Sequence, residues 1–261
     1  LLIYILLALT FGYTMIVAET SLGRMTRKSP VGAYASFTKS HTLKAGGWIN
    51  AIIPILIVPY YSVIGGWVIK YLFEYICGNG TKLAEDGYFS MFISDGVSAE
   101  ICFIVFALIT LTIIFAGVRN GIERVSKFMM PILVVLSVII AIYSVTRPGA
   151  LKGIQYFLVP NLENFSWMTV VSAMGQMFYS LSIAMGILVT FGSYMKKETS
   201  IEDSTRNVEI FDTAIAIMAG LMIIPAVFAF SSGDPNTLQA GPSLMFITIP
   251  KGFARLGPGP G

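Results

Sequence analysis

The sequence predicts an all-α membrane protein with six membrane spans. Its 261 residues are 55% apolar and only 12% charged, whereas about a quarter of the residues in a soluble domain are charged. Six stretches contain no Asp, Glu, Lys or Arg, and each is long enough for a helix to cross the hydrocarbon core. The connections between them alternate between more and fewer Lys and Arg residues, as expected for loops on alternating sides of a membrane.

The six stretches follow one another along almost the whole chain. They cover residues 1–18, 45–69, 101–118, 128–146, 164–195 and 213–233. A seventh apolar stretch, Pro235 to Pro250, is short and bounded by prolines. We expect a re-entrant or extracellular helical loop there, because it is too short to span.

Loop charges orient the predicted bundle, since Lys and Arg accumulate on the cytoplasmic side. The first, third and fifth connections hold most of the basic residues, namely Arg24, Arg27, Lys28, Lys39 and Lys44, then Arg119, Arg124 and Lys127, then Lys196, Lys197 and Arg206. The second connection holds Lys82 against Glu85, Asp86, Asp95 and Glu100, and the fourth has only Arg147 and Lys152 as basic residues, so both are expected outside. The outer connections are short, which predicts a multi-pass protein of a prokaryotic inner membrane.

Composition argues against several functions. A formal charge of +3 is too small to indicate nucleic-acid binding. A single histidine, His41, lies outside the spans, and the sequence has no glycine-rich phosphate loop, so we predict that the protein is not an enzyme. Cys77 and Cys102 lie near the ends of consecutive stretches, where they could form an extracellular disulfide or remain two inert thiols.

The fifth stretch carries polar residues in its middle. Gln176, Ser180 and Ser182 lie between Gly175 and Gly186, and the stretch is too long for one upright helix. One interpretation is a helix broken at membrane depth, where bare backbone faces a substrate or an ion. The other is one long tilted helix whose serines bond to carbonyls of the preceding turn.

Five segments occur in the order of one known family. They are Ala18–Arg24 with Ser29–Ala33, Pro59–Trp67, Gly121–Lys127 followed by Met130-Pro131, Gly175–Ser182, and Asp212-Thr213 through to Ala226. Together they resemble the second to seventh helices of the neurotransmitter:sodium symporter family. The resemblance implies a partial inverted-repeat transporter bundle, with residues 1–261 as a single transmembrane domain fragment. It would lack the first family helix and those after the seventh.

The resemblance also implies site residues. Those expected around a neutral amino-acid substrate are Tyr61, Ile57, Tyr179, Ser180, Ser182 and Met185, with the Tyr61 hydroxyl donating to the substrate carboxylate. Ser180 and Asp212 would be sodium ligands, and Gln176 an outer-gate residue. Met185 favours a larger hydrophobic substrate, because methionine repacks around bulky groups. Glu19 is either a solvated interfacial acid or a brace for the broken helix.

Hydropathy and the family resemblance predict different positions for Asp212 in its helix. Hydropathy starts the last span at Thr213, which would leave Asp212 at the cytoplasmic edge, where an acid needs no function. The resemblance starts the helix near Asp203 and ends it near Pro225 to Phe228, which moves Asp212 toward the membrane centre. An acid there should persist only with a cation or another partner.

The function that the resemblance implies is sodium-coupled inward transport of a neutral, hydrophobic amino acid by alternating access. The alternative is a non-transporting membrane scaffold or channel subunit, although the sequence shows no filter motif or stripe of pore charges. The expected partners are sodium, the amino acid and the lipid bilayer. The sequence leaves the oligomeric state open.

Overall fold

The computed structural model describes residues 1–37, 41–160, 165–230 and 243–254, and every regular element in these ranges is a helix. The elements are α1 (Leu2–Leu7), a π-helical turn (Ala8–Gly12), α2 (Tyr13–Thr26), α3 (Pro30–Phe37), α4 (His41–Ile76), α5 (Gly80–Leu83), α6 (Tyr88–Ser94), α7 (Gly96–Phe115), a second π-helical turn (Val118–Glu123), α8 (Arg124–Val145), α9 (Ala150–Leu158), α10 (Trp167–Ser180), α11 (Ile187–Tyr194), α12 (Ile201–Phe230) and α13 (Ser243–Ala254).

Five helical segments in the described residues are long and apolar enough to cross a membrane. They are Leu2–Thr26, Lys44–Ile76, Gly96–Phe115, Asn120–Val145 and Ile201–Ala229. The remaining predicted span, residues 164–195, contains two shorter helices instead, α10 and α11. The predicted all-α membrane fold with one broken helix is confirmed.

Helix boundaries differ from the apolar stretches at two places. The first span continues past Ala18 to Thr26, where the Arg24 guanidinium donates to the carbonyl of Thr199 and that of Arg27 to the carbonyl of Ser193. The last span begins at Ile201, so the start expected from hydropathy at Thr213 is wrong. Of the stretch predicted as a helical loop, residues 235–242 lie outside the described residues, and the remainder belongs to α13.

The chain forms two compact units, which we describe separately. The first unit comprises Leu1–Val58 and Leu158–Ile217, and the second comprises Pro59–Phe157 and Met218–Gly261. Because α4 and α12 each cross this division, both units contain part of each of these two helices.

In the first unit, α2 and α11 pack at very short range. A Cβ atom added to Gly23 would lie 2.0 Å from the carbonyl oxygen of Val189, and one added to Gly192 would lie 2.3 Å from that of Thr20. Only glycine allows two backbones to approach this closely, which is how helices associate tightly in lipid. Beside them, Tyr4, Ile16, Met177, Leu181 and Ile183 form a buried apolar cluster.

In the second unit, an aromatic cluster holds α13 against α4 and α6. The Phe246 ring stacks on Phe89 with centroids 5.6 Å apart and lies 5.0 Å from the Tyr71 ring. Trp67 packs edge-on against Phe89 at 5.1 Å. The Tyr71 hydroxyl donates to the buried Phe246 carbonyl at 2.9 Å.

Charged groups and thiols of the second unit lie around this cluster. Lys251 of α13 forms an ion pair with Asp86, and the hydrogen bond from its ammonium lowers the pKa of the Asp86 carboxyl. Cys77 is exposed, Cys102 is half-buried, and both are free thiols. Of the two interpretations of the cysteines, the structure therefore shows the unpaired one.

Candidate functional site

The site lies where the predicted fifth span breaks. Helix α10 ends at Ser180, α11 begins at Ile187, and six residues outside regular helix separate them. Three residues of this segment have a left-handed backbone, with φ of 56° at Ser182, 61° at Ala184 and 68° at Gly186. Non-glycine residues rarely adopt this conformation, and it persists only where the surroundings hold it.

Two side chains from other helices hold the break. The backbone N–H of Ala184 donates to Glu19 Oε1 of α2 at 2.8 Å. The backbone N–H of Gly186 donates to Asn50 Oδ1 of α4 at 3.1 Å, in a buried hydrogen bond. A break inside a membrane leaves amide groups that no water satisfies, so side-chain acceptors must replace the helical carbonyls.

Asp212 lies beside the end of α10. The Ser180 hydroxyl donates to Asp212 Oδ2 at 2.7 Å, and the Tyr4 hydroxyl donates to the same oxygen at 3.2 Å. These contacts join α1, α10 and α12 within the first unit. Among the residues that the structure describes, none donates a hydrogen bond to the other oxygen, Oδ1.

The two predicted sodium ligands are thus in direct contact. Ser180 is the last residue of α10, and Asp212 lies well inside α12, which begins at Ile201. Small hard cations prefer oxygen ligands such as hydroxyls and carboxylates. The Thr213 hydroxyl, next in the chain, is buried and has no hydrogen-bond partner in the described residues. These oxygens suit a sodium ion better than a transition metal, because hydroxyl and carboxylate oxygens are hard ligands.

A pocket of about 300 Å³ lies beside the break. Its lining combines residues of α4 with residues at the start of α11, and includes Pro30, Asn50, Pro54, Met185, Thr190 and Phe191. Met185, predicted to limit substrate size, therefore borders a cavity in the structure. The volume suits a bulky amino-acid side chain.

The other predicted residues lie in different surroundings. Ser182 is half-buried within the break, while Tyr179 and Gln176 are exposed on α10. Ile57 is half-buried on α4 and belongs to the first unit. Tyr61 follows one helical turn later but belongs to the second unit, where its ring packs edge-on against that of Tyr60 at 6.0 Å.

Sequence reasoning missed two residues of the site. Tyr4 lies in an uninterrupted apolar stretch, and only its position near Asp212 in the fold reveals its role as a donor. Asn50 is a polar residue in the interior of a predicted span. That was a usable signal, because a polar group at that depth requires a partner.

Comparisons with known proteins agree with this architecture. The sequence model of the Sodium:neurotransmitter symporter family matches residues 90–260. The uncharacterized sodium-dependent transporter YhdH of Bacillus subtilis is 33% identical over 258 residues, which are 98% of this chain and 56% of that protein. An uncharacterized sodium-dependent transporter of Haemophilus influenzae is 31% identical, over 98% of this chain and 58% of its own length.

A solved structure is also similar. The crystal structure of MhsT in complex with L-phenylalanine matches with a TM-score of 0.87 and 33% identity, covering 97% of this chain and 58% of that one. The human sodium- and chloride-dependent GABA transporter 2 is a more distant relative, 24% identical over 97% of this chain and 49% of its own length.

A bundle of membrane helices, one of them broken beside a carboxylate, defines a multi-pass membrane protein of the transporter type. The family match and the relatives then assign it: the chain belongs to the Sodium:neurotransmitter symporter family. It spans a little over half of the bacterial relatives, 56% and 58% of their lengths.

Proposed function

We propose that the full-length protein is a sodium-coupled symporter that carries a neutral, hydrophobic amino acid inward across the plasma membrane by alternating access. The observation that carries this proposal is the contact between Ser180 and Asp212 at 2.7 Å, beside a helix break. A carboxylate inside a span is costly unless a cation or another partner accompanies it. Here one carboxylate oxygen is held by two hydroxyls, and the other remains available for an ion.

Sodium would be held by the Ser180 hydroxyl and Asp212 Oδ1, together with groups outside this chain. Bound there, the ion supplies the positive charge that couples its gradient to substrate binding. Tyr4 and Ser180 orient the carboxylate by donating to Oδ2, which leaves Oδ1 without a donor in the described residues. Because Asp212 carries a permanent charge, it can offset the sodium charge without chloride.

The substrate would lie next to the break. Ser182, Tyr179 and Ile57 are the proposed contacts of the amino acid, with Tyr61 the proposed donor to its carboxylate. Met185 borders the pocket of about 300 Å³, which favours a large apolar side chain. The related MhsT has been solved with L-phenylalanine bound, which supports a hydrophobic substrate. Gln176 is the proposed outer-gate residue.

Uptake by the full-length protein in proteoliposomes tests this function. Radiolabelled alanine, leucine, phenylalanine and tryptophan should accumulate under an inward sodium gradient and not under a matched potassium gradient. A membrane scaffold or channel subunit would show no accumulation under either gradient. Binding of an amino acid that does not depend on sodium would contradict the proposed coupling.

The substrate assignment has its own test. Met185→Phe narrows the pocket, so it should weaken tryptophan uptake more than alanine uptake, by roughly tenfold for a misfit of about one methylene group or more. Ile187→Leu, a volume-conserving change in the same lining, is the control and should affect the two substrates alike. Equal losses for alanine and tryptophan in Met185→Phe would rule out this role.

A further inference from the structure

We propose that Asn50 is a positioning residue that fixes the main chain on one side of Met185 and thereby sets which substrate side chains the pocket accepts. This inference rests on the proposed function, because it assigns a role in choosing the substrate.

The amide of Asn50 is fixed at both ends. Its Oδ1 accepts from the backbone N–H of Gly186 at 3.1 Å, and its Nδ2 donates to the Gly46 carbonyl of its own helix at 3.0 Å. The residue is 8% exposed. A buried amide with both ends bonded has one orientation, so it holds Gly186 at a defined distance from α4.

Met185 lies between two anchored backbone amides. Glu19 of α2 accepts from the residue before it, Ala184, and Asn50 of α4 accepts from the residue after it, Gly186. The intervening residue is not restrained by helical hydrogen bonds, because α11 begins only at Ile187. The two acceptors therefore determine where the Met185 side chain enters the pocket.

Gly186 leaves little room for another arrangement. Its φ is 68°, and a Cβ atom at this position would lie 2.7 Å from Pro30 Cγ and 3.0 Å from the carbonyl oxygen of Asn50. The backbone is thus seated directly against α3 and α4. Loss of the Asn50 acceptor would leave a buried N–H without a partner in a tightly packed place, and the segment must shift to satisfy it.

Asn50 also borders the pocket that Met185 lines. Pro54, one turn further along α4, and Thr190 of α11 complete the same wall. A shift of Gly186 would therefore change the shape of the cavity around Met185 directly. Small substrates that do not fill this cavity should be affected least.

The test measures the KM and Vmax of alanine and tryptophan uptake by the full-length protein for Asn50→Ala, Asn50→Asp and the control Asn79→Ala. Asn50→Ala should change the ratio of the two KM values by roughly tenfold, the usual consequence of losing one buried hydrogen bond that orders a site. Asn50→Asp keeps the acceptor for the Gly186 N–H but loses the Nδ2 donor to the Gly46 carbonyl, so it should shift the ratio less than Asn50→Ala does. Asn79→Ala removes a hydrogen-bonded asparagine amide of the second unit that does not line the pocket, so it should leave the ratio unchanged.

A purely structural role would lower Vmax for both substrates and leave the ratio of their KM values unchanged, which would overturn the proposal. An Asn50→Asp protein with the same altered ratio as Asn50→Ala would also overturn it. If the Asn50→Ala protein cannot be obtained in folded form, Asn50→Ser is measured in its place, because the serine hydroxyl is too short to reach Gly186. Wild-type protein without sodium-driven uptake would instead refute the proposed function, and the two failures are therefore distinguishable.

Discussion

The two units of the chain bury different kinds of groups. In the described residues, four of the five buried polar or charged residues belong to the first unit, namely Thr20, Asn50, Thr205 and Glu209, and only Ser144 belongs to the second. The second unit is instead held by aromatic rings around Phe246. Burying a polar group is unfavourable unless it is satisfied. The first unit therefore holds most of the fully buried polar residues in the described ranges, as expected of a binding site, and the second is held mainly by aromatic packing.

The largest expected effect comes from Asp212→Asn in the full-length protein. The substitution removes the charge that faces the proposed ion, so the apparent affinity for sodium in uptake should fall by about tenfold or more. Wild-type uptake should persist when chloride is replaced by gluconate. Asp203→Asn, with a side chain 70% exposed on the same helix, is the matched control and should behave like wild type. Chloride-dependent wild-type uptake, or an unchanged sodium affinity in Asp212→Asn, would contradict this assignment.

The next effect concerns the folding of the first unit. Gly23→Ala places a methyl group 2.0 Å from a backbone oxygen of α11, and overpacking of this kind costs about 1–3 kcal/mol or more. The melting temperature of the purified protein should therefore fall clearly. Gly175→Ala should be neutral or stabilising, because an added Cβ atom would meet no neighbouring atom within 4 Å. Similar melting temperatures for the two variants would show that α2 and α11 are packed less closely.

A third variant separates stability from ion binding. Tyr71→Phe in the second unit removes a donor from the buried Phe246 carbonyl, which should reduce stability by about 1 kcal/mol. The apparent sodium affinity should not change. Tyr75→Phe, one turn further along the same helix, removes a hydroxyl that has no hydrogen-bond partner among the described residues, so it should leave the melting temperature nearly unchanged. A changed sodium affinity in Tyr71→Phe would show that ion binding also depends on the packing of the second unit.

The smallest effect depends on pH and involves Asp95, the exposed N-cap of α7. Its carboxylate accepts from the hydroxyl and the backbone N–H of Ser98, and these bonds lower the pKa of the Asp95 carboxyl. A lowered pKa means that the stabilisation is complete above the ordinary value of 3.8 and is lost as the pH falls through the lower folded-state value. At neutral pH the wild type should melt at a slightly higher temperature than Asp95→Asn, and this difference should therefore disappear in acid. An excess that stays constant from neutral pH to pH 3 would argue against this cap.

The sequence predicted elements better than it predicted contacts. Serines flanked by Gly175 and Gly186 in an overlong apolar stretch left two interpretations open, a broken helix and one long tilted helix. The family resemblance favoured the break, which lies between Ser180 and Ile187. Hydropathy placed the start of α12 too late, since its first turns are polar and yet helical from Ile201. The family resemblance corrected this start, and with it the position of Asp212 within the helix.

Contacts between distant segments could not be derived in the same way. The pairing of Tyr4 with Asp212 spans 208 positions of the chain, and that of Asn50 with Gly186 spans 136. Periodicity and hydropathy describe neighbours along one helix, so they do not reveal which helices exchange hydrogen bonds. For Asn50, the sequence could indicate only that a polar group inside a span needs a partner.

The interlocking of Gly23 with Val189 and of Gly192 with Thr20 has a mechanical consequence. Two backbones in such contact cannot slide or rotate past each other, so we expect α2 and α11 to move together as one rigid body. The Arg27 guanidinium bonds the Ser193 carbonyl of α11 itself, and the Arg24 guanidinium bonds the Thr199 carbonyl in the chain that follows, so that segment is tied to α2 as well. The left-handed residues between Ser182 and Gly186 are likewise tied to α2, through the hydrogen bond from the Ala184 N–H to Glu19.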